Sequence, residues 1–134
     1  MRQMGQVHRA TPGSVGRVRR AVSAFAGGVG GDSQTLSAIE LAVSEACANV
    51  ALHAYRDSAS PGDVVVLASE SDGSLEVRVI DHGVGLTPRF YSPGIGMGLP
   101  LMTRLADSFE AQSSAEAGTE IRMQFTLGRQ EGRA

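Results

Sequence analysis

The sequence contains no lysine and no tryptophan, and these two gaps exclude several kinds of function before any motif is considered. All twelve basic residues among the 134 are arginines. A P-loop needs a lysine on the phosphates of its nucleotide, and a Schiff-base enzyme needs a lysine amine. Neither chemistry is therefore available to this chain. Aromatic residues make up only 4%, so the core must be built from Val, Leu, Ile, Ala and Met.

Cysteine and positive charge are also scarce. Cys47 is the single cysteine, which excludes an intrachain disulfide and is typical of a reducing compartment. We interpret it as a small core residue. The net charge of −2 argues against binding to nucleic acid, which usually needs a basic surface. The polar start of the chain and the lack of an uninterrupted run of 18 apolar residues predict a cytoplasmic protein with no membrane partner.

Hydrophobic periodicity predicts one domain spanning residues 1–134, with an ordered core over about 11–127. The expected elements are an edge strand within 1–10, helices at about 13–26, 32–55 and 98–107, and strands at 63–69, 74–81, 109–114 and 119–127. A glycine-rich loop at 82–97 separates the strand at 74–81 from the last helix. This order predicts an α+β fold: a single-domain two-layer sandwich with helices on one face of a mixed, mainly antiparallel sheet.

Glu45 and Asn49 are the first pair of residues that could carry chemistry. They lie four apart on the second predicted helix, so they share a face, and their neighbours on that helix are apolar. An amide oxygen is a hard ligand suited to Mg²⁺, and a glutamate could deprotonate an attacking hydroxyl. Taken alone, the pair could equally flank the core and face solvent.

Asp81, Gly83 and Gly85 form a second motif at the end of a clearly alternating strand. A carboxylate there could accept a hydrogen bond from an amino group such as that of adenine, and the glycines would let a ligand approach the backbone closely. Because Asp-x-Gly is also common where an ordinary strand enters a turn, this motif is weak by itself.

A third motif places Gly94, Gly96, Gly98 and Leu99 directly before the last predicted helix. A glycine-rich segment that opens a helix exposes free N–H groups and the positive end of the helix dipole, which suits phosphate. Its spacing differs from the dinucleotide fingerprint, and no strand precedes it. Read alone, the motif could be a flexible loop. Thr119, after Gly118, would on its own be part of a hairpin turn.

In combination these motifs are far more specific. Their order resembles the gyrase, heat-shock chaperone, histidine-kinase and MutL superfamily of ATPases. Within it, the stretches SEACANVALHAY, DHGVGLTP, GMGLPLMTRLAD and GTEIRMQF resemble the small bacterial anti-sigma factor serine kinases. The resemblance covers the chain from about residue 11 to 127 and is weakest before residue 32.

The resemblance implies a role for each matching residue. Asn49 would coordinate Mg²⁺, Glu45 would be the general base for a protein serine hydroxyl, and Asp81 would bind the adenine amino group with support from Thr119. The glycines of the second and third motifs would shape the adenine pocket and the lid over the phosphates. The lid is expected within residues 87–97. This loop should be mobile in the absence of ATP and more ordered when ATP is bound.

The resemblance also implies partners. The protein would bind Mg-ATP, phosphorylate a serine of an anti-sigma antagonist protein and sequester a sigma factor, and it would form a homodimer. The alternative is an ATP-binding interaction module without kinase activity. Glu45 favours the kinase, because a pure binding module would need no base at that position.

Overall fold

The computed structural model describes residues 1–55, 58–83, 98–114 and 118–128. Its elements follow the chain in this order: β1 Arg2–Arg9, α1 Pro12–Gly28, α2 Ser33–Asn49, a π-helical turn Val50–Ala54, β2 Asp63–Ser71, β3 Ser74–Asp81, α3 Gly98–Leu105, β4 Ser108–Ser114 and β5 Gly118–Thr126. The expected elements are confirmed, with ends that differ by a few residues. The edge strand β1 begins at Arg2, before the expected start of the core at residue 11.

The five strands form one sheet in the order β1-β2-β3-β5-β4. All four pairings between the described strands are antiparallel, so the mixed character allowed for in the prediction is not seen. The helices cover one face of this sheet, and the predicted two-layer α+β sandwich is confirmed. Along β3 the buried residues alternate strictly with exposed or half-buried ones, as expected for a strand with one covered face.

Local signals explain where the helices begin and end. Pro12 occupies the first position of α1, where its missing N–H costs nothing, and Asp32 caps α2 because its Oδ1 accepts a hydrogen bond from the Thr35 N–H at 2.8 Å. At the end of α1, Gly30 adopts a φ of 111° and the Gly31 N–H donates to the Ala26 carbonyl. This is the glycine-terminated end that the Gly-rich segment predicts.

The run from α2 through the π-helical turn is the central helix of the core. By length and composition alone, Ser33–Ala54 is apolar enough to cross a membrane, with a mean hydropathy of 1.3. In the fold, however, one face of the run is covered: Ile39, Ala42, Val43 and Ala46 are fully buried, whereas Leu41 and Leu52 are exposed. The hydropathy of this helix is therefore accounted for by its place in the core.

Candidate functional site

Most of the buried polar side chains in the described structure belong to the motifs that the sequence singles out. Four polar residues are buried among the described residues, and three of them are Asn49, Asp81 and Thr119, which are 8%, 4% and 6% exposed. The fourth, Ser14, lies in the first turn of α1. Buried polar groups cost free energy unless they are paired, and the Asn49 Nδ2 has no partner in the described structure, so these residues are candidates for binding a ligand.

Asp81 and Thr119 end the inward-facing rows of two neighbouring strands. The pattern that buries Leu75, Val77 and Val79 on β3 places Asp81 next in the same row. Thr119 lies directly opposite Asp81 in the β3–β5 pairing. The two polar residues therefore meet at the rim of the core, and that Thr119 supports Asp81 stays a prediction.

The Asp81 carboxylate is buried and held by backbone groups. Its Oδ1 accepts a hydrogen bond from the Gly83 N–H at 2.9 Å. Burial raises the pKa of Asp81, while hydrogen bonds from the backbone of Gly83 and Thr119, and the charge of His82, act in the opposite direction. Within the described residues no arginine forms an ion pair with it. A desolvated carboxylate with remaining lone pairs is suited to accept a hydrogen bond from a ligand amino group.

Two glycines let other segments approach Asp81 closely. A Cβ on Gly83 would overlap the carbonyl group of Ala54, and a Cβ on Gly118 would overlap the carbonyl oxygen of Asp81. Gly118 also adopts a φ of +84°, which L side chains rarely tolerate. Ala54, at the end of the helical run, and Gly118, at the start of β5, are therefore in close contact with the backbone of residues 81–83.

Asn49 lies at the end of α2, and Glu45 precedes it by one helical turn. Asn49 is buried, and its amide Nδ2 has no hydrogen-bond partner among the described residues. Glu45 is half-buried. The possibility that both residues face solvent is thus wrong for Asn49, whereas Glu45 keeps access to solvent. Cys47, between them, is 3% exposed, and burial raises the pKa of its thiol to about 12, which fits a core residue.

The residues fit an Mg²⁺ ion held together with a nucleotide. Mg²⁺ prefers oxygen ligands and usually takes only one or two from the protein, the rest coming from phosphates and water. The Asn49 amide carries such an oxygen on a buried side chain, and its Nδ2 has no hydrogen-bond partner in the described structure. No cluster of three or more His, Cys, Asp or Glu residues that could hold a metal alone occurs in the described ranges.

Several predicted site residues cannot be placed. Gly85, Gly94 and Gly96, and the expected lid at 87–97, lie outside the described residues. Gly98 and Leu99 open α3, as predicted for the segment before the helix. A cavity of about 440 Å³ lies nearby, lined by residues that include Ile80, His82 and Glu120. Gly118 and Thr119 also line this cavity, so one of the predicted site residues, Thr119, borders it.

Sequence reasoning assigned no role to Tyr55, which forms part of this region. The Tyr55 hydroxyl donates a hydrogen bond to the Asp63 carbonyl at 2.6 Å and accepts one from the His82 N–H at 3.0 Å. The only signal in the sequence is an aromatic residue with a polar tip at the end of an otherwise apolar helix. Its two partners are eight and 27 residues away, so local pattern could not have identified them.

Comparison with known proteins gives close and consistent matches. Residues 8–125 match the family described as the histidine kinase-like ATPase domain. An anti-sigma F factor from Caldanaerobacter subterraneus subsp. tengcongensis is 31% identical over 83% of this chain and 84% of that protein. The serine-protein kinase RsbW of Bacillus licheniformis is 31% identical over 90% of this chain and 83% of its own length.

Solved structures share the fold. The RsbU and RsbW domains of a Mycobacterium tuberculosis protein match with a TM-score of 0.73 and 22% identity, covering 95% of this chain and 32% of that one. A histidine kinase domain from Erythrobacter litoralis matches with a TM-score of 0.62 and 25% identity, covering 91% of this chain and 63% of that one.

The sandwich, with its buried carboxylate and amide at one rim, defines a nucleotide-binding α+β domain. The chain belongs to the histidine kinase-like ATPase domain family. The predicted resemblance to the anti-sigma factor serine kinases is confirmed by the named relatives. With this membership, ATP binding and protein serine kinase activity are the functions expected from the sequence and supported by its relatives.

Proposed function

We propose that the chain binds ATP with Mg²⁺ and transfers the γ-phosphoryl group to a serine of an anti-sigma antagonist protein, while it also sequesters a sigma factor. The observation that carries the proposal is the burial of Asn49, Asp81 and Thr119 at one rim of an otherwise apolar core. The names of the relatives, anti-sigma F factor and serine-protein kinase, supply the class of partner.

The proposed site holds the two ends of the nucleotide on different elements. Asp81, at the end of β3, accepts a hydrogen bond from the adenine amino group, and Thr119 supports it from β5. Asn49, at the end of α2, supplies an oxygen ligand for the metal beside the phosphates. Mg²⁺ would supply charge neutralisation at the β- and γ-phosphate oxygens. Gly85, Gly94, Gly96, Gly98 and Leu99 would complete the pocket and its cover.

Glu45 is the proposed general base, one turn before Asn49 on the same helix. Its half-buried carboxylate takes the proton from the acceptor serine as the serine oxygen forms its bond to the γ-phosphorus. The bond from that phosphorus to the bridging oxygen of ADP breaks, and ADP leaves with the electron pair. Positioning and electrostatics supply most of the catalysis in such a transfer, so one correctly placed base suffices.

A homodimer is proposed on the resemblance. The structure contributes one supporting feature, the edge strand β1, whose Val7 is 63% exposed and whose outer backbone groups are available for pairing. Light scattering at micromolar concentration should report twice the mass of the chain. A monomer under those conditions would remove this part of the proposal.

The kinase proposal is tested by identifying partners and then their modification. The tagged protein is purified from its native cell, bound proteins are identified by mass spectrometry, and Mg-ATP is added to each recombinant partner with the purified chain. Phosphoserine on one partner supports the kinase. If partners bind in an ATP-dependent manner but none acquires phosphoserine, the chain is an ATP-binding interaction module.

A further inference from the structure

Tyr55 joins three separate segments through one hydroxyl group. It follows the π-helical turn Val50–Ala54 directly. Its Oη donates to the Asp63 carbonyl at 2.6 Å, at the start of β2, and accepts from the His82 N–H at 3.0 Å, just beyond the end of β3. A tyrosine hydroxyl can donate and accept at once, which no other side chain of this shape can do.

One of these partners lies within the backbone that orients Asp81. His82 stands between Asp81 and Gly83, and the Gly83 N–H in turn donates to the Asp81 carboxylate. Gly83 also packs so tightly against the Ala54 carbonyl that no Cβ would fit. Residues 54 and 55 together therefore hold residues 82 and 83, which in turn hold the carboxylate.

The same helical run carries the proposed metal ligand. Asn49 is the last residue of α2, and the π-helical turn continues from it without a break to Ala54. Such turns have i→i+5 hydrogen bonds in place of the i→i+4 bonds of an α-helix, and they often occur at functional sites. Here the turn brings Tyr55 to the exit of β3, so the elements bearing Asn49 and Asp81 are linked by hydrogen bonds to one side chain.

We infer that Tyr55 is a positioning residue for the nucleotide: it touches no ligand itself but holds the backbone at His82, so that the Asp81 carboxylate stays in place relative to Asn49. The inference rests on the proposed nucleotide site. Burial raises the pKa of Tyr55, so the hydroxyl remains protonated at neutral pH and continues to donate to Asp63.

The test is Tyr55→Phe, which keeps the ring and removes both hydrogen bonds. Calorimetric titration with Mg-ATP should show a Kd weakened about threefold to tenfold, the size expected for losing a neutral hydrogen bond. The binding stoichiometry should stay at the wild-type value, and discrimination between ATP and GTP should narrow. The backbone amide of His82 should exchange with solvent faster in the variant. Ser37→Ala, which removes a hydroxyl bonded to the Ser33 carbonyl on the exposed side of α2, should alter none of these quantities.

The outcomes separate this inference from the proposed function. Tyr55→Phe with unchanged Kd and selectivity overturns the positioning role if Asp81→Asn still weakens ATP binding, because the site then exists without needing Tyr55. If Asp81→Asn also binds ATP normally, the proposed site itself is wrong. A reduced stoichiometry at unchanged Kd, together with a lower melting temperature, would make Tyr55 a residue of fold stability only and also overturns the inference.

Discussion

Asp81 and Glu120 occupy adjacent rows of the paired strands β3 and β5, yet their carboxylates lie on opposite faces of the sheet. Asp81 is opposite Thr119 and Ile80 is opposite Glu120, so one carboxylate faces the helices and the other faces solvent. Burial raises the pKa of Asp81. The hydrogen bond from Arg78, at 2.7 Å, lowers the pKa of Glu120.

This difference indicates that the open face of the sheet contributes to stability and that the helix-covered face contributes to binding. Glu120 belongs to a network on the open face, where Arg122 contacts Glu76 and Glu110 as well. Asp81 has no such partner among the described residues. The buried charge of Asp81 lowers the stability of the folded state, and backbone N–H groups hold it in place. Such an arrangement is characteristic of a ligand-binding site.

The two carboxylates also affect stability in opposite directions as the pH changes. Because the pKa of Asp81 is raised in the folded state, its ionised form destabilises the fold at neutral pH, and this penalty disappears as the pH falls below the pKa of the unfolded chain. Because the pKa of Glu120 is lowered, its contribution is favourable above the unfolded pKa and is lost as the pH falls through its folded value.

The largest expected effect comes from Glu45, a carboxylate that is neither fully buried like Asp81 nor ion-paired like Glu120 in the described structure. Glu45→Ala should lower the rate of phosphoryl transfer by about 10²–10⁴, as is typical on loss of a general base, with little change in ATP affinity. A radiolabelled transfer assay with the partner protein, paired with a nucleotide titration, measures both.

A matched control for Glu45 lies on the same helix. The Glu40 carboxylate accepts a hydrogen bond from the Ser23 hydroxyl of α1 at 2.5 Å, so it is held on a different side of α2. Glu40→Ala should leave the transfer rate near the wild-type value. Transfer at the wild-type rate by Glu45→Ala would return Glu45 to a structural role.

Asp81→Asn should weaken ATP binding by about tenfold or more, because a charge-assisted hydrogen bond contributes about 1.5–3 kcal/mol. The same change removes a buried charge, so the stability of the ligand-free protein should be unchanged or higher at neutral pH. Calorimetry gives the affinity, and urea unfolding gives the free energy of unfolding. Loss of stability without loss of affinity would reverse the comparison between the two faces.

The smallest expected effect is that of Glu120→Gln. Removing one partner of a partly exposed ion pair should lower the free energy of unfolding by about 0.2–1 kcal/mol, with a smaller loss at high salt and no change in ATP affinity. Glu110→Gln is the control, since Glu110 is more exposed and lies 3.6 Å from Arg122. An effect of Glu120→Gln on ATP affinity would show that the open face contributes to the site.

The elements of this fold that depend on hydrophobic periodicity were predictable from the sequence. The strand Ser74–Asp81 was predicted with its observed limits because one face is buried throughout and the alternation is strict. The predicted helix through residue 55 was also confirmed, but its last turn is π-helical. The Ala54 carbonyl at the end of this turn lies against Gly83, a contact between distant residues that the local sequence does not report.

The sequence was enough to predict which motifs form the candidate site, but not how their residues are arranged in space. Asp81 and Thr119 were named from separate segments, and strand pairing places them opposite each other. Tyr55 could not be found in this way, because its hydroxyl bonds only to backbone groups that are distant in sequence. The roles assigned to Glu45, Asn49, Asp81 and Thr119 remain predictions, as do those of the glycines.

The measurement that tests the central claim most directly is a calorimetric titration of the wild-type protein with ATP and with GTP, each with and without Mg²⁺. A site built on the Asp81 carboxylate and the Asn49 amide should bind ATP more tightly than GTP and should lose affinity when Mg²⁺ is removed. Equal affinity for the two nucleotides would contradict the adenine role of Asp81. ATP affinity that is the same without Mg²⁺ would contradict the metal role of Asn49.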